Sequence, residues 1–367
     1  MTRARELVLG QAPHIYHPQS TASLTWGTAA ALLPAALWGA YSFGPAVGLA
    51  VAASVLAALI GEAFVGLLLR RFTLGDGSAF LTGLLIGLAM PPGVPLFIPV
   101  AASLFAVMLV KGSFGGLGSN WMNPALGGIV FALLDWPRQM GAWFAPRSLA
   151  GVVGVSGATP LSFVKQHALS GQALASPLSL LHSSGLRFSD LDHRITDLLN
   201  LSLFGKLGSD LPGGYVDLLV GNKAGSPGEL SAVLILIASI VLLSRRMIRW
   251  EVPASMVGGF ALLTWVFGGL PFGSGFFSGD VLFSLLTGSF LLVAFFMATD
   301  PVTSPSTRSG MIIYGLGIAA VTYLIRTFSS LPEGSAFAVL IMNCLTPMLG
   351  RRSRRGGTAE QLSAGDL

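Results

Sequence analysis

Apolar residues fall into ten runs along the chain: 21–40, 43–69, 79–91, 95–110, 123–135, 230–244, 253–270, 281–299, 311–325 and 335–349. A helix that crosses a bilayer needs about 20 predominantly apolar residues. The pattern therefore predicts about ten transmembrane helices, of which 79–91, 123–135 and 230–244 are short. Short spans are tolerated where neighbouring protein covers loose backbone. A polar stretch at 136–229 separates five runs from five. The predicted organisation is an N-terminal segment 1–20, a first five-helix unit 21–135, the polar insertion 136–229, a second unit 230–349 and a basic tail 350–367.

The two units echo each other. Leu81-Thr82-Gly83 has a counterpart in Leu286-Thr287-Gly288, and Met122-Asn123-Pro124 in Met342-Asn343 followed by Pro347. An odd number of spans per unit would give the copies opposite orientation. That is the inverted-repeat layout of many transporters, with ligands held at helix breaks near the repeat interface.

Composition sharpens the class. The 367 residues are 53% hydrophobic and 10% charged, against about 25% charged in ordinary soluble proteins. So few charges cannot cover a soluble surface, and the chain is read as an all-α polytopic membrane protein. The formal net charge of +5 does not point to nucleic acid, because most basic residues outside the insertion flank apolar runs. Arg3 and Arg5 precede the first run, Arg70 and Arg71 follow the second, and Lys111 the fourth. Arg245, Arg246 and Arg249 follow the sixth, Arg308 the eighth, and Arg351, Arg352, Arg354 and Arg355 the tenth. The alternate connections at 41–42, 92–94 and 271–280 hold no Lys or Arg. Positive residues stay on the cytoplasmic side, so both termini are placed there and the insertion on the outer face. Arg326 is the exception in a short connection. No apolar run precedes residue 20, so no cleavable signal peptide is expected.

Cys344 stands alone, which excludes an internal disulfide or a four-cysteine iron–sulfur centre. His14, His17, His167, His182 and His193 are scattered, no HExxH or CxxC occurs, and no metal site is expected. No Ser-His-Asp arrangement can be argued from spacing.

Four places could carry chemistry. Ser156-Gly157-Ala158-Thr159-Pro160 is a small-residue turn in the insertion. Read on composition it is a loop, with Gly157 and Ala158 leaving Thr159 open to another protein's active site. Asp300-Pro301-Val302-Thr303-Ser304-Pro305 should break its helix, since each proline lacks a backbone donor and clashes with a preceding carbonyl. Asp300 is then either an intramembrane carboxylate with a function or the wet end of a helix. Gly112, Gly115, Gly116 and Gly118 between the fourth and fifth runs imply left-handed turns or close approach. Asn120 and Asn123 beyond them either cap the fifth helix or hydrogen-bond a cofactor ring. Glu62, inside the second run, is either a packing carboxylate or part of an ion path.

Several segments together resemble the D subunit of the Rnf-type ion-translocating electron transport complex, related to the B subunit of the sodium-pumping NADH:quinone reductase. The resemblance spans nearly the whole chain. It rests on Ala12-Pro13-His14, Asn123-Pro124-Ala125, the stretch from Gly225 to Ser231, and above all Phe295 to Pro305. Arg326, Pro332-Glu333-Gly334, Phe337 and Met342-Asn343 continue it. The resemblance implies FMN attached covalently through a phosphoester to the threonine of an S/T-G-A-T motif, here Ser156-Gly157-Ala158-Thr159, so the attachment falls on Thr159. An Asp usually stands three residues before that Ser/Thr; here it is Val153. A second, riboflavin-like flavin held non-covalently among the spans is also implied, and Asn120, Asn123, Asp300 and Thr303 are the candidates for polar contacts to a cofactor. Implied partners are the A, B, C, E and G subunits of such a complex, a flavin transferase and membrane lipid, in a bacterial inner membrane with the Thr159 loop periplasmic. The flavin ring would tuck against Trp136, Trp143 or Phe163.

Two other classes fit parts of the pattern. A solute channel or transporter would use the inverted-repeat layout, the Asn-Pro breaks and Glu62 without flavin. A purely structural subunit would use the insertion only for docking.

Overall fold

The computed structural model describes residues 20–70, 73–146, 158–169, 177–183, 188–208, 210–329, 331 and 333–363. Among them the regular structure is helical. Every one of the ten apolar runs falls on helix.

The first unit opens with α1 (Thr21–Phe43), capped by the Ser20 side chain, which accepts from Ser23 N at 3.2 Å. Gly44, at φ 100°, turns the chain, and Pro45 starts α2 (Pro45–Leu68) at a position where its missing N–H costs nothing. α3 (Ser78–Ala89) lies against α2 at close range. A Cβ on Gly83 would meet Val55 Cα at 2.6 Å, and one on Gly87 would meet Val51 Cα at 2.8 Å. Two glycines four residues apart thus let the backbones approach, as small-residue stripes do between membrane helices. α4 (Phe97–Leu104) runs on as a π-helical segment, Phe105–Gly112. α5 (Pro124–Asp135) begins at Asn123 and Pro124.

Among the described residues the insertion carries four short α-helices: α6 (Pro160–Leu169), α7 (Pro177–Ser183), α8 (Asp190–Leu199) and α9 (Tyr215–Val220). Asp192 is buried and organises this layer. Its Oδ2 accepts from Gly214 N at 2.7 Å and its Oδ1 from Val216 N at 2.9 Å. Tyr215 ties the layer to the bundle by donating to Asp280 Oδ2 at 2.7 Å.

The second unit holds α10 (Ala232–Ser244), α11 (Glu251–Phe267), α12 (Val281–Leu286), α13 (Phe290–Leu292), α14 (Arg308–Phe328) and α15 (Ser335–Ser363). The eighth apolar run is thus not one helix. It breaks at Thr287–Ser289, where Gly288 takes φ 75°, and resumes as α13 and a π-helical segment, Val293–Met297. The echo between the units has different local structure in each. Leu81-Thr82-Gly83 lies inside α3, whereas Leu286-Thr287-Gly288 is the break; Asn123 caps α5, whereas Asn343 lies inside α15.

Among the described residues three helical stretches, Pro45–Leu68, Glu251–Phe272 and Arg308–Phe328, are long and apolar enough to cross a membrane. Five shorter apolar helices accompany them. Large apolar side chains such as Leu37, Ile60, Leu67 and Ile240 are more than half exposed, a surface that suits lipid rather than water. The fold is that of a helical multi-pass membrane protein. The two halves meet where Asn123 Nδ2 donates to Met297 O at 3.0 Å, and the end of the insertion joins the first half where Gly228 N donates to Leu88 O at 2.8 Å.

Candidate functional site

The glycine turn, the start of α5 and the end of the eighth run converge on one cavity of about 110 Å³. Gly115, Gly116 and Gly118 all adopt positive φ, as their spacing predicts. The turn they form delivers Asn120 and Asn123 to the cavity wall. Asn123 is the N-cap of α5: its Oδ1 accepts from Ala125 N at 2.9 Å and Leu126 N at 3.3 Å. Its amide nitrogen is used on Met297 O, so Asn123 is satisfied by the protein. Asn120 is the opposite case. It is buried, and neither its Oδ1 nor its Nδ2 has a partner among the described residues. A buried amide without a partner costs free energy unless something else supplies the hydrogen bonds.

Asp300 faces the same cavity. The helix stops before it, as Pro301 and Pro305 predict, and the chain turns back on itself: Ser304 N donates to Asp300 O at 3.0 Å. Thr303 Oγ1 donates to Asp300 Oδ2 at 3.0 Å and holds the carboxylate in place. Thr303 is therefore behind Asp300, outside the cavity lining. Lys111 also lines the cavity, with Ser78 and Thr82. It is buried, forms a 2.7 Å ion pair with Glu62 Oε2, and donates to Ser78 Oγ at 2.6 Å. Thr73 donates to the other oxygen of Glu62. Glu62 is thus paired across the helices. Leu81, Leu85 and Phe296 supply apolar walls.

Thr159 stands at the start of α6. Its Oγ1 accepts from Ser162 N at 3.2 Å and donates to Ser162 Oγ at 2.9 Å, the bonding of a helix N-cap. Ala158 beside it is exposed. Ser156, Gly157 and Val153 lie outside the described residues. A phosphoester on Thr159 would place its negative charge at the positive end of a ten-residue helix. Thr159 itself is buried and its hydroxyl is engaged with Ser162. The open approach expected from Gly157 and Ala158 is therefore not what the described residues show at this side chain. The helix end nonetheless suits the charge of such a group.

A second cavity, of about 350 Å³, opens under α6. Its walls include Phe260, Phe272, Phe283 and Tyr323, with Lys165, Thr264, Asp280, Ser284, Arg326 and Thr327 as polar members. Trp136 does not reach it. That ring packs edge-on against Phe97 and Phe131 in the first unit. Trp143 lines a separate small cavity with Glu229 and Glu333, and Phe163 is half-buried against the core. Burial and the nearby Arg326 guanidinium bring the Lys165 ammonium down to about 8.

Arg326 explains its own exemption from the charge rule. It is buried, its guanidinium donating to Ser284 O at 2.7 Å, Thr287 O at 3.2 Å and Glu333 Oε1 at 3.1 Å. The first two are carbonyls left free where α12 breaks. The guanidinium also lies 5.1 Å from the centre of the Phe260 ring and 5.5 Å from that of Phe290. The two rings stack at 4.3 Å. Beside this group, Lys223 is fully buried, its ammonium on Leu286 O and pushed down by burial. Burial pushes the Glu229 carboxyl up, and Glu333 adds to the effect.

The sequence profile of the NQR2, RnfD, RnfE family matches residues 8–356. The chain belongs to that family. It is 35% identical over 344 residues to the D subunit of the proton-translocating ferredoxin:NAD(+) oxidoreductase complex of Clostridium ljungdahlii, covering 94% of this chain and 93% of that one. It is 39% identical over 334 residues to the D subunit of the ion-translocating oxidoreductase complex of Stutzerimonas stutzeri, 88% of each chain. It is 33% identical over 347 residues to the D subunit of the Na(+)-translocating ferredoxin:NAD(+) oxidoreductase complex of Acetobacterium woodii, 94% and 93%.

For this NQR2, RnfD, RnfE family chain, sequence reasoning gathered Asn120, Asn123 and Asp300 as separate candidates, and the fold brings them to one cavity. Thr159 lies apart from them, on the insertion. Lys111, Ser78 and Thr82 went unnoticed as cavity residues because a lysine after an apolar run reads as a flank. The signal that could have found Lys111 is Glu62, a carboxylate inside an apolar run that needs a cation.

Proposed function

We propose that this chain is a flavin-carrying membrane subunit of an ion-translocating electron-transport complex, in which electron transfer between ferredoxin and NADH is coupled to ion movement. Family membership and the names of the relatives support this. The observation that carries the flavin assignment is the Thr159 hydroxyl at the N-cap of α6. FMN, when bound, supplies electron transfer in one- and two-electron steps. The chain's part is to bind the ring, orient it and tune it electrostatically. Attachment makes a bond from Thr159 Oγ to the flavin phosphorus while the pyrophosphate bond of a flavin dinucleotide donor breaks; AMP leaves, the threonine loses its proton, and the protein gains FMN minus water. A phosphodiester keeps its charge and belongs at a wet membrane edge, outside hydrocarbon.

In this reading the ten helical runs all span the membrane as two inverted five-helix units. Both termini are cytoplasmic and the insertion is periplasmic. The cavity at Asn120 and Asp300 takes the second, non-covalent flavin. Asn120 offers one donor and one acceptor, the pair that the pyrimidine edge of a flavin ring requires. The apolar walls suit its faces. One cofactor at one face cannot bridge the ~30 Å of hydrocarbon, and a second on the Asp300 side shortens the gap. The remaining carriers belong to the A, B, C, E and G subunits.

Intact mass and in-gel flavin fluorescence test the attachment, on protein made alongside a flavin transferase. The expected result is an added FMN minus water on the peptide holding Thr159, absent from a folded Thr159→Ala variant. An unmodified chain, or flavin still attached to the variant, overturns it.

A further inference from the structure

We propose that the cavity under α6 receives the ring of the flavin carried on Thr159, with Lys165 and Thr264 meeting the ring's polar edge. The inference rests on the reading of Thr159 as the attachment point.

Reach is the first argument. Thr159 and Lys165 are six residues apart, about 9 Å along a helix at 1.5 Å per residue. An extended ribityl phosphate has a similar length. Leu161, Val164 and Lys165 line the cavity from the same helix that Thr159 caps. A flavin held at the start of α6 can therefore fold back along it.

The second argument is shape and chemistry. The cavity, at about 350 Å³, is lined by four aromatic side chains together with six further polar ones, most of which are engaged within the protein. That is the composition of a site for a flat, largely apolar ring with one polar edge. Two of the polar groups have unused capacity. Thr264 is buried, and its Oγ1 has no partner among the described residues. Lys165 has three N–H donors, two of which go to Ile325 O at 3.2 Å and Leu331 O at 2.6 Å. Among the described residues no carboxylate pairs with Lys165. The acid in the wall, Asp280, is engaged by Tyr215 and by Phe283 N. A cation held by neutral carbonyls keeps its field for whatever enters the cavity. Beside the N1–C2=O edge of a flavin it favours the reduced ring, which carries negative charge there.

Lys165→Met and Ser284→Trp test this in the full chain made with a flavin transferase. Fluorescence of the denatured band reports attachment alone; its absence from the unaltered chain would sink the Thr159 reading and this proposal with it. With flavin attached, iodide quenching of the native protein reports whether the ring is sheltered, and a redox titration reports its potential. In the unaltered chain the ring should be shielded from iodide. Lys165→Met should keep the flavin attached and sheltered but lower its midpoint potential; a tenfold weaker preference for the two-electron reduced ring reads as about 30 mV. Ser284→Trp fills the cavity and should leave the flavin attached but open to iodide. A ring equally sheltered in Ser284→Trp, or a potential unchanged in Lys165→Met, overturns the proposal.

Discussion

Lys111 Nζ lies 2.7 Å from Glu62 Oε2, both side chains buried between α2 and the π-helical end of α4. The π-helical turn is what lets a residue at the end of an apolar run swing inward. Such turns are rare and concentrate at functional sites. Removing one member of a buried pair leaves the other charge uncompensated, a loss of about 3–5 kcal/mol. Lys111→Met should therefore destabilise the purified protein strongly. Lys111→Met combined with Glu62→Leu should recover much of the loss. Thermal unfolding in detergent compares the single and double variants. Equal destabilisation by both would mean that the pair is not the unit that matters.

Asn120 and Asn123 are three residues apart and should respond oppositely. Asn123→Ala removes the cap of α5, worth about 1 kcal/mol, and also its bond to Met297 O, so stability should fall. Asn120→Ala removes an amide the protein itself does not satisfy. A buried unpartnered polar group can be replaced by an apolar one with little loss or a gain. The flavin-free chain should lose nothing on Asn120→Ala, while added riboflavin should bind more weakly, by tenfold or more. Unfolding temperature with and without riboflavin separates the two effects. A protein destabilised by Asn120→Ala in the absence of flavin would show that the amide serves the fold.

The elements were legible in the apolar pattern because each helix buries one face in protein and offers another to lipid. Even the short runs at 79–91 and 123–135 became helices with ends near the expected residues. What the pattern did not carry was the break at Thr287–Ser289. Leu286-Thr287-Gly288 reads like Leu81-Thr82-Gly83, yet only the former is broken. The difference lies in tertiary partners: Arg326 and Glu333 take up the backbone groups freed at the break, and these come from the end of α14 and the residues just before α15. The site was legible by residue type and illegible as a site. Asn120, Asn123 and Asp300 each stood out as polar groups in apolar context, but their meeting depends on how the two units pack.

Arg326 holds the break by geometry as well as charge. Its planar fork reaches Ser284 O, Thr287 O and Glu333 at once. A lysine ammonium has three donors but no fixed fork. Arg326→Lys should keep the charge and lose at least one of these bonds, about 1.5–3 kcal/mol for a hydrogen bond to a charged group. Unfolding in detergent should show that loss. Limited proteolysis should also cut near residues 287–289 sooner than in the unaltered chain. Full stability in Arg326→Lys would mean that charge alone suffices.

Lys165 gives the protein a pH response whose sign is fixed by its surroundings. Burial and Arg326 hold the folded-state ammonium near 8, below the ordinary lysine value of 10.5. Between those two pH values the unfolded chain binds more protons than the folded one, so stability rises as pH increases through that window. Below pH 8 both states are protonated and the penalty on the folded state is constant. Lys223, buried and also lowered, adds to the rise in the same window. Glu229 acts at lower pH: its raised carboxyl makes the folded state the better proton binder, so stability falls as pH climbs from ordinary carboxylate values toward neutrality. The unaltered chain should therefore unfold at higher temperature at pH 10 than at pH 8. Lys165→Met should reduce that difference without abolishing it, because Lys223 remains. Lys165 is half-exposed, so solvent screening keeps its share modest. Calorimetry of both proteins across this range makes the comparison. A slope unchanged by Lys165→Met would assign the whole response to Lys223.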